Sequence, residues 1–170
     1  MNIFVLDSNP YIAATMMCDK HVNKMIVESC QMLSTIHHLF GSNPTEITLY
    51  KKCFVNHPCT IWARKTSENY HWLAVHALSL CHEYHKRYGK VHKCKVMCEW
   101  FVENFPKLIT LGCLTPFAQA MPDKYKGDDA VLAYRNYYVG EKARFAKWKN
   151  GIIPEWFIQG VNNVRVPILQ

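Results

Sequence analysis

No apolar run in this sequence reaches the roughly 18 residues that a membrane span needs. The start, MNIFVLDSNP, lacks the basic region and the long apolar stretch of a secretory signal. There is no internal repeat, low-complexity tract or Gly/Ser linker. P-loop, GxGxxG, GxSxG and HExxH motifs are all missing. That argues against nucleotide kinases, dinucleotide enzymes, α/β-hydrolases and zincins. No two cysteines form a CxxC pair, and strand signals are few. Acidic residues are the scarcer charge, 13 against 20 Lys and Arg, which leaves a net +7 with histidine neutral.

What is there fits one mainly α domain over residues 1–170. Hydrophobic residues make up 49% and charged residues 19%, enough to bury a real core. The positive balance favours a polyanionic partner, nucleic acid first. With no signal and no span, a soluble intracellular protein without a membrane partner is expected. Eight cysteines would form a disulfide framework in a small secreted domain; inside a cell they are expected to be reduced. Cys94 and Cys98, with His92 just before, could supply half a zinc site and Asn56–Cys59 the other half. Buried or idle thiols are the simpler account, and no metal or cofactor is assigned.

Along the chain, FVLDSNPY reads as a short strand or extended arm closed by Pro10. A helix is expected from about Ala13 to Phe40, with a turn at GSNPTE (Gly41 to Glu46). NHPCTIWARKTSENY is irregular and leads into a helix over Ser67–Tyr88, with Gly89 as its C-terminal cap. A third helix is expected over Lys93–Phe105, followed by the loop LTPFAQAMPDKYKGD. Asp128 or Asp129 can cap a last helix running to about Lys149, and the tail PEWFIQGVNNVRVPILQ reads as extended.

The stretch CDKHVNKMIVESCQ, residues 18–31, carries the most chemistry. At 100° per residue, Cys18, Val22, Met25, Met32, Leu33, Ile36 and Phe40 share a core face. Lys20, Asn23 and Ser34 fall opposite and should be solvated. His21, Lys24, Glu28, Gln31 and Thr35 form a stripe between the two, spaced three and four apart, so neighbours can touch. A carboxylate on such a border can line a cleft and be tuned for proton transfer. An ordinary i,i+4 Lys–Glu pair with a histidine at the rim gives the same spacing and is the commoner arrangement.

Elsewhere, Arg135, Tyr138, Lys142, Phe145 and Lys149 alternate cations with aromatics on one helical stripe. Phosphates want the cations and unstacked bases want the rings; core aromatics flanked by cations would look alike. Trp156 and Phe157 extend this surface or the core. His57 lies in a loop segment ahead of Trp62 and Arg64. CHEYHKRYGKVHKCK, residues 81–95, is dense in His, Lys and Arg and reads as a solvated basic helix end.

Five segments, in order from Cys18 to Phe157, resemble the bacteriophage pyrimidine-dimer DNA glycosylases with AP-lyase activity, the endonuclease V type. CDKHV is similar to the family's A-D-Q-H-L, and Glu28 stands seven residues after His21, where the family carries its catalytic glutamate. NHPCTIWARK is similar to G-H-V-T-F-F-Y-D-K, LCHEYHKRYG to E-C-L-K-R-G, and MPDKYKGD to I-P-Q-E-F-R-G-D. GEKARFAKW followed by PEWF is similar to D-E-K-I-A followed by P-T-W-Y. The resemblance implies a compact helical domain that binds bent duplex DNA, with Glu28 the key carboxylate and His21 its neighbour. It also implies an N-terminal α-amine that attacks the sugar C1′ to form an imine, while the glutamate supports base loss and β-elimination.

Three departures touch that chemistry. Residue 2 is asparagine where the family has threonine, and so bulky a neighbour should keep Met1 in place. The arm before the histidine is longer. Val27 and Gln31 stand where the family has phosphate-gripping arginines, which makes Lys24 the best internal amine. The leading expectation is an enzyme acting on a pyrimidine nucleotide in DNA, with Glu28, His21 and Lys24 catalytic. Gln31, His57, Arg64, Arg135, Tyr138, Lys142 and Trp156 are expected to meet the nucleic acid. A transferase joining an amine cosubstrate to an activated hydroxymethylpyrimidine in phage DNA, and a non-catalytic nucleic-acid-binding phage protein, are the alternatives. For a phage protein the expected location is the host cytoplasm.

Overall fold

Thr66 and Gly89 bracket a helix over Ser67–Tyr88, the span the sequence predicts. The Thr66 hydroxyl accepts the Asn69 N–H (3.2 Å), filling an orphan donor of the first turn. Gly89 sits at φ 65°, and its N–H closes on the His85 carbonyl. The computed structural model describes residues 1–42 and 44–165. Its α-helices are α1 Pro10–Met16, α2 Asp19–Leu39, α3 Pro58–Ala63, α4 Ser67–Tyr88, α5 Lys95–Glu103, α6 Ala130–Tyr137 and α7 Glu155–Arg165. No strand occurs among the described residues, so the class is mainly α. No described helix is long and apolar enough to cross a membrane.

α4 is the hub: α1, α2 and α5 all pack on it, and α3 lies against α2. The N-terminal arm is extended rather than a strand. Ile3, Val5 and Leu6 are buried in the core, and Trp72 Nε1–H holds the Ser8 carbonyl at 2.7 Å. Pro10 opens α1 instead of only closing the arm, because Asn9 caps it by accepting the N–H groups of Tyr11 and Ile12.

The expected single helix from Ala13 to Phe40 is broken at Met17 and Cys18, both extended. Tertiary partners take the backbone donors there. Cys18 N–H goes to the Tyr138 hydroxyl (3.1 Å) and Asp19 N–H to the Lys147 carbonyl (2.8 Å). Ser34, expected in solvent, is buried. Its hydroxyl accepts Tyr50 N–H (3.1 Å) because the 48–53 segment and α5 cover that side.

The last predicted helix ends early. α6 starts at the Asp129 cap and passes into a wide π-turn at Tyr138–Lys142. Gly140 makes room there: a Cβ would fall 2.2 Å from the Tyr125 hydroxyl, which donates to Glu141 (3.0 Å), and would displace that ring. The tail expected to be extended forms α7 instead, packed on the π-turn. Gly160 and the paired Asn162 and Asn163 hide this helix from propensity reasoning. Yet Gly160 is what lets α7 approach, since a Cβ would lie 2.6 Å from Val139. Residues 166–170 of that tail lie outside the described residues.

Candidate active site

Asn2 folds the arm back toward α2. Its side-chain oxygen accepts the N–H groups of Ile3 (2.8 Å) and Phe4 (3.1 Å), while its amide donates to the Ala120 carbonyl (2.7 Å). Phe4 then takes φ 39°, a left-handed value that a bulky residue adopts only when its surroundings hold it there. Those surroundings are rings: His21 stacks on Phe4 at 4.3 Å and Tyr137 at 6.1 Å.

This turn aims the first two backbone nitrogens at Glu28. The Met1 α-amine lies 3.6 Å from Glu28 Oε2, and the Asn2 N–H donates to the same oxygen at 3.0 Å. Lys24 Nζ reaches Oε1 at 3.1 Å from one turn earlier on α2. The Glu28 side chain is 12% exposed and that of Lys24 66%. His57 approaches from the start of α3. Burial lowers its proton affinity first, then the Met1 amine, with Glu28 opposing. The Thr60 hydroxyl touches Met1 Sδ at 3.8 Å. So an amine, a carboxylate and a lysine meet at the edge of α2, with the His57 imidazole near enough to feel the charges of the amine and the carboxylate. None of the described cavities is lined by Glu28.

The other expected site residues divide. Gln31 is half-buried one turn beyond Glu28. Lys142 stands over Tyr137 (4.3 Å) and donates to its hydroxyl (3.0 Å), on the far side of Phe4. Arg64 is tied through Nη1 to the Val55 carbonyl and fixes the loop ahead of α3. Arg135 is a bracket: Nε donates to the Leu6 carbonyl (2.9 Å), and the guanidinium covers Trp156 at 5.4 Å. Arg135 and Trp156 line a cavity of about 610 Å³ whose other walls include Glu83 and Lys86. Tyr138 departs from expectation: it is fully buried and leaves no face for a base to stack on.

His21 departs as well. It was expected beside Glu28 as a reacting group, but its ring turns into the packing around the arm, and the residue is 7% exposed. Nδ1 shares a 2.6 Å hydrogen bond with the Tyr138 hydroxyl. Burial, then the charges of Lys142, Lys24 and Lys20, push its pKa down to about 3. The ring is therefore neutral at working pH and serves as a wedge that seats Phe4. Burial likewise lowers His37 and His76 to about 4. The unfolded chain takes up protons on these rings near 6.5, while the folded chain does not. Their contribution to stability is complete above about pH 6.5 and is lost as pH falls toward 4. Urea unfolding midpoints should drop through that window, and His76→Gln should flatten the slope.

Residue spacing gave no sign of the arm's return to Glu28, a contact 26 residues apart in the chain; only the resemblance implied that an N-terminal amine works beside the glutamate. Sequence reasoning also missed Asn2, Thr60 and the Ala120 carbonyl. Asn2 was noted only as a departure from threonine; its turn-forming amide was the available signal. Among the described residues, no three His, Cys, Asp or Glu side chains are arranged to hold a metal ion.

No curated protein and no solved structure matches the sequence. A family model described as pyrimidine dimer DNA glycosylase matches residues 1–96, more than half of the chain. That match takes in the arm, α1 to α4 and the first residues of α5, and with them Met1, Lys24, Glu28 and His57. By that match, the chain belongs to the pyrimidine dimer DNA glycosylase family.

Proposed function

We propose that the protein is a DNA glycosylase with lyase activity on a damaged or modified pyrimidine, with the Met1 amine as nucleophile and Glu28 as acid/base. The supporting observation is the convergence of the arm on Glu28: the Met1 amine at 3.6 Å and the Asn2 N–H at 3.0 Å from one carboxylate oxygen. The neutral amine attacks the sugar C1′, the glycosidic bond breaks, and the base leaves. The C1′–O4′ bond opens to give the imine, and loss of a proton from C2′ then breaks the C3′–O bond, the 3′ phosphate leaving with that electron pair. Glu28 is placed to receive the amine's proton and to stabilise the cationic sugar in between.

Lys24 is the other amine at Glu28, but its side chain stands mostly in solvent and only the ion pair directs it. The arm itself is anchored by the hydrogen bonds of Asn2 to Glu28, Ala120, Ile3 and Phe4, which hold the adjoining Met1 amine 3.6 Å from the carboxylate and favour it for attack at a defined carbon. Lys24, Lys142 and Gln31 are suited to phosphate and sugar contacts.

Borohydride trapping tests this reading. Duplexes carry a cyclobutane pyrimidine dimer, an abasic site or an activated hydroxymethyluracil. The protein should form a reduced covalent adduct on the first or second substrate, and peptide mapping should place it on Met1. In any fraction that has lost Met1, the Asn2 amine would carry it. An adduct on Lys24 would move the nucleophile to α2. Base mass gain without strand scission would replace cleavage with transfer. Neither adduct nor base release on any substrate would end the enzymatic reading.

A further inference from the structure

Phe54 has a left-handed backbone, φ 49°, and is 59% exposed. Phe4 has a similar φ but is 5% exposed, and the rings packed on it offset its strain. Phe54 stands mostly in water, so packing of that kind does not offset its own. Glycine or asparagine would make the same turn at less cost. The strain is held by backbone ties on consecutive residues. Buried Thr35 clamps Cys53: its Oγ1 accepts the Cys53 N–H (3.1 Å) and donates to the Cys53 carbonyl (3.0 Å). The Phe54 carbonyl accepts the His57 N–H (3.0 Å), and Arg64 holds the Val55 carbonyl. A rigid loop thus presents an aromatic ring to solvent.

That loop belongs to the face that carries Glu28. Thr35 is seven residues past Glu28 on α2, so it points within about 20° of the same direction, about 10 Å further along the axis. From this anchor the chain returns toward the arm, where Thr60 touches Met1 Sδ (3.8 Å). Phe54 lies between these two ends, within about three base-pair steps of Glu28 at roughly 3.4 Å each. Lys51 and Lys52 are exposed just ahead of it, and Lys24 is exposed on the other side of Glu28. Phosphates of one duplex can meet cations at both ends of this surface.

We propose that Phe54 is a wedge: its ring enters the duplex beside the nucleotide attacked at the Glu28 site, takes the place of a stacked base and holds that base step open. The wedge acts only if duplex DNA lies on the Glu28 face, as proposed above. A nucleotide inside a duplex has to be unstacked before its sugar can be attacked, and an apolar side chain between base steps both parts them and kinks the helix. The strained, pinned backbone keeps the ring from folding back onto the protein. Phe54 then reads how readily the duplex opens, rather than the atoms of the lesion. Poorly stacked, damaged pyrimidines cost least to part and are favoured for that reason.

Phe54→Gly and Phe54→Leu, in the full chain, test the wedge. The probe is a duplex with a cyclobutane pyrimidine dimer and 2-aminopurine placed in turn at the base pairs on either side of it; this base brightens when it loses its stacking. Stopped-flow fluorescence reads the binding phase at saturating protein, and anisotropy of an end label reads affinity. Wild type should brighten the probe at a base pair flanking the dimer, and Phe54→Leu, still an apolar wedge, should keep much of that rise. Phe54→Gly should lose most of it and bind about 5- to 100-fold more weakly, the range for one lost aromatic–base stack. Its urea unfolding midpoint should be unchanged or higher, because glycine is at ease at φ 49°. Brightening by Phe54→Gly equal to wild type overturns the wedge. So does a lowered midpoint together with lost brightening, which makes Phe54 a part of the fold instead. Wild type that binds and releases the base without brightening any probe removes the wedge alone. Wild type that does not bind the duplex removes the glycosylase reading with it.

Discussion

Glu28→Gln lowers kcat/KM for base release by about 10²- to 10⁴-fold, the range for removal of a positioned acid/base. Glutamine keeps the size of the side chain and an oxygen for the Asn2 N–H, so the arm stays seated. What is lost is the charge facing the Met1 amine and Lys24, and the capacity to accept a proton. Duplex affinity should stay within about threefold, because phosphate contacts rest on the cations and not on this acid. Single-turnover assays on a dimer-containing oligonucleotide, beside a binding titration at fixed salt, separate the two effects. Retained base release in this variant would remove Glu28 from the chemistry and move the acid/base role to another group.

How far this site was legible depends on the range of the forces that build it. The Lys24–Glu28 stripe follows from helical spacing alone, and the structure keeps it as an ion pair. α4 was legible end to end because its cap and stop are local chemistry at Thr66 and Gly89. His21 lies on the same stripe, yet the helical wheel gives only its angle. What covers that angle is Phe4 from the arm and Tyr138 from the π-turn, 117 residues away. The break before α2 was hidden for the same reason, since Tyr138 and Lys147 supply the competing partners. The arm's longer reach looked like a departure from the family's chemistry. In the structure α1 takes up residues 10–16, and the arm still delivers its nitrogens to Glu28.

Arg87→Ala costs about 3–5 kcal/mol of stability, the range for breaking a buried ion pair from one side. The sequence suggested a solvated basic helix end, but the Arg87 side chain is fully buried. Nε donates to Glu83 (2.7 Å), Nη1 to Asp19 (3.0 Å) and Nη2 to the Thr15 carbonyl (3.0 Å). Asn150 donates to the Arg87 carbonyl (3.1 Å), and Asp19 accepts the Lys149 N–H (2.9 Å). One guanidinium therefore registers α4 against α1 and α2 and, through Asp19, the 149–151 segment. Truncating it leaves Glu83, 5% exposed, with only a surface lysine 4.0 Å away. Asp19 is more open and can rehydrate, so Glu83 carries most of the cost. That reasoning predicts the double variant: Arg87→Met with Glu83→Leu removes both charges, keeps the volume, and should recover more than half of the loss. Denaturant unfolding of the two single variants and the double gives the coupling energy directly. Single-variant losses below about 1 kcal/mol, or a double variant no more stable than Arg87→Ala, would show that these charges do not hold α2 in register with α4.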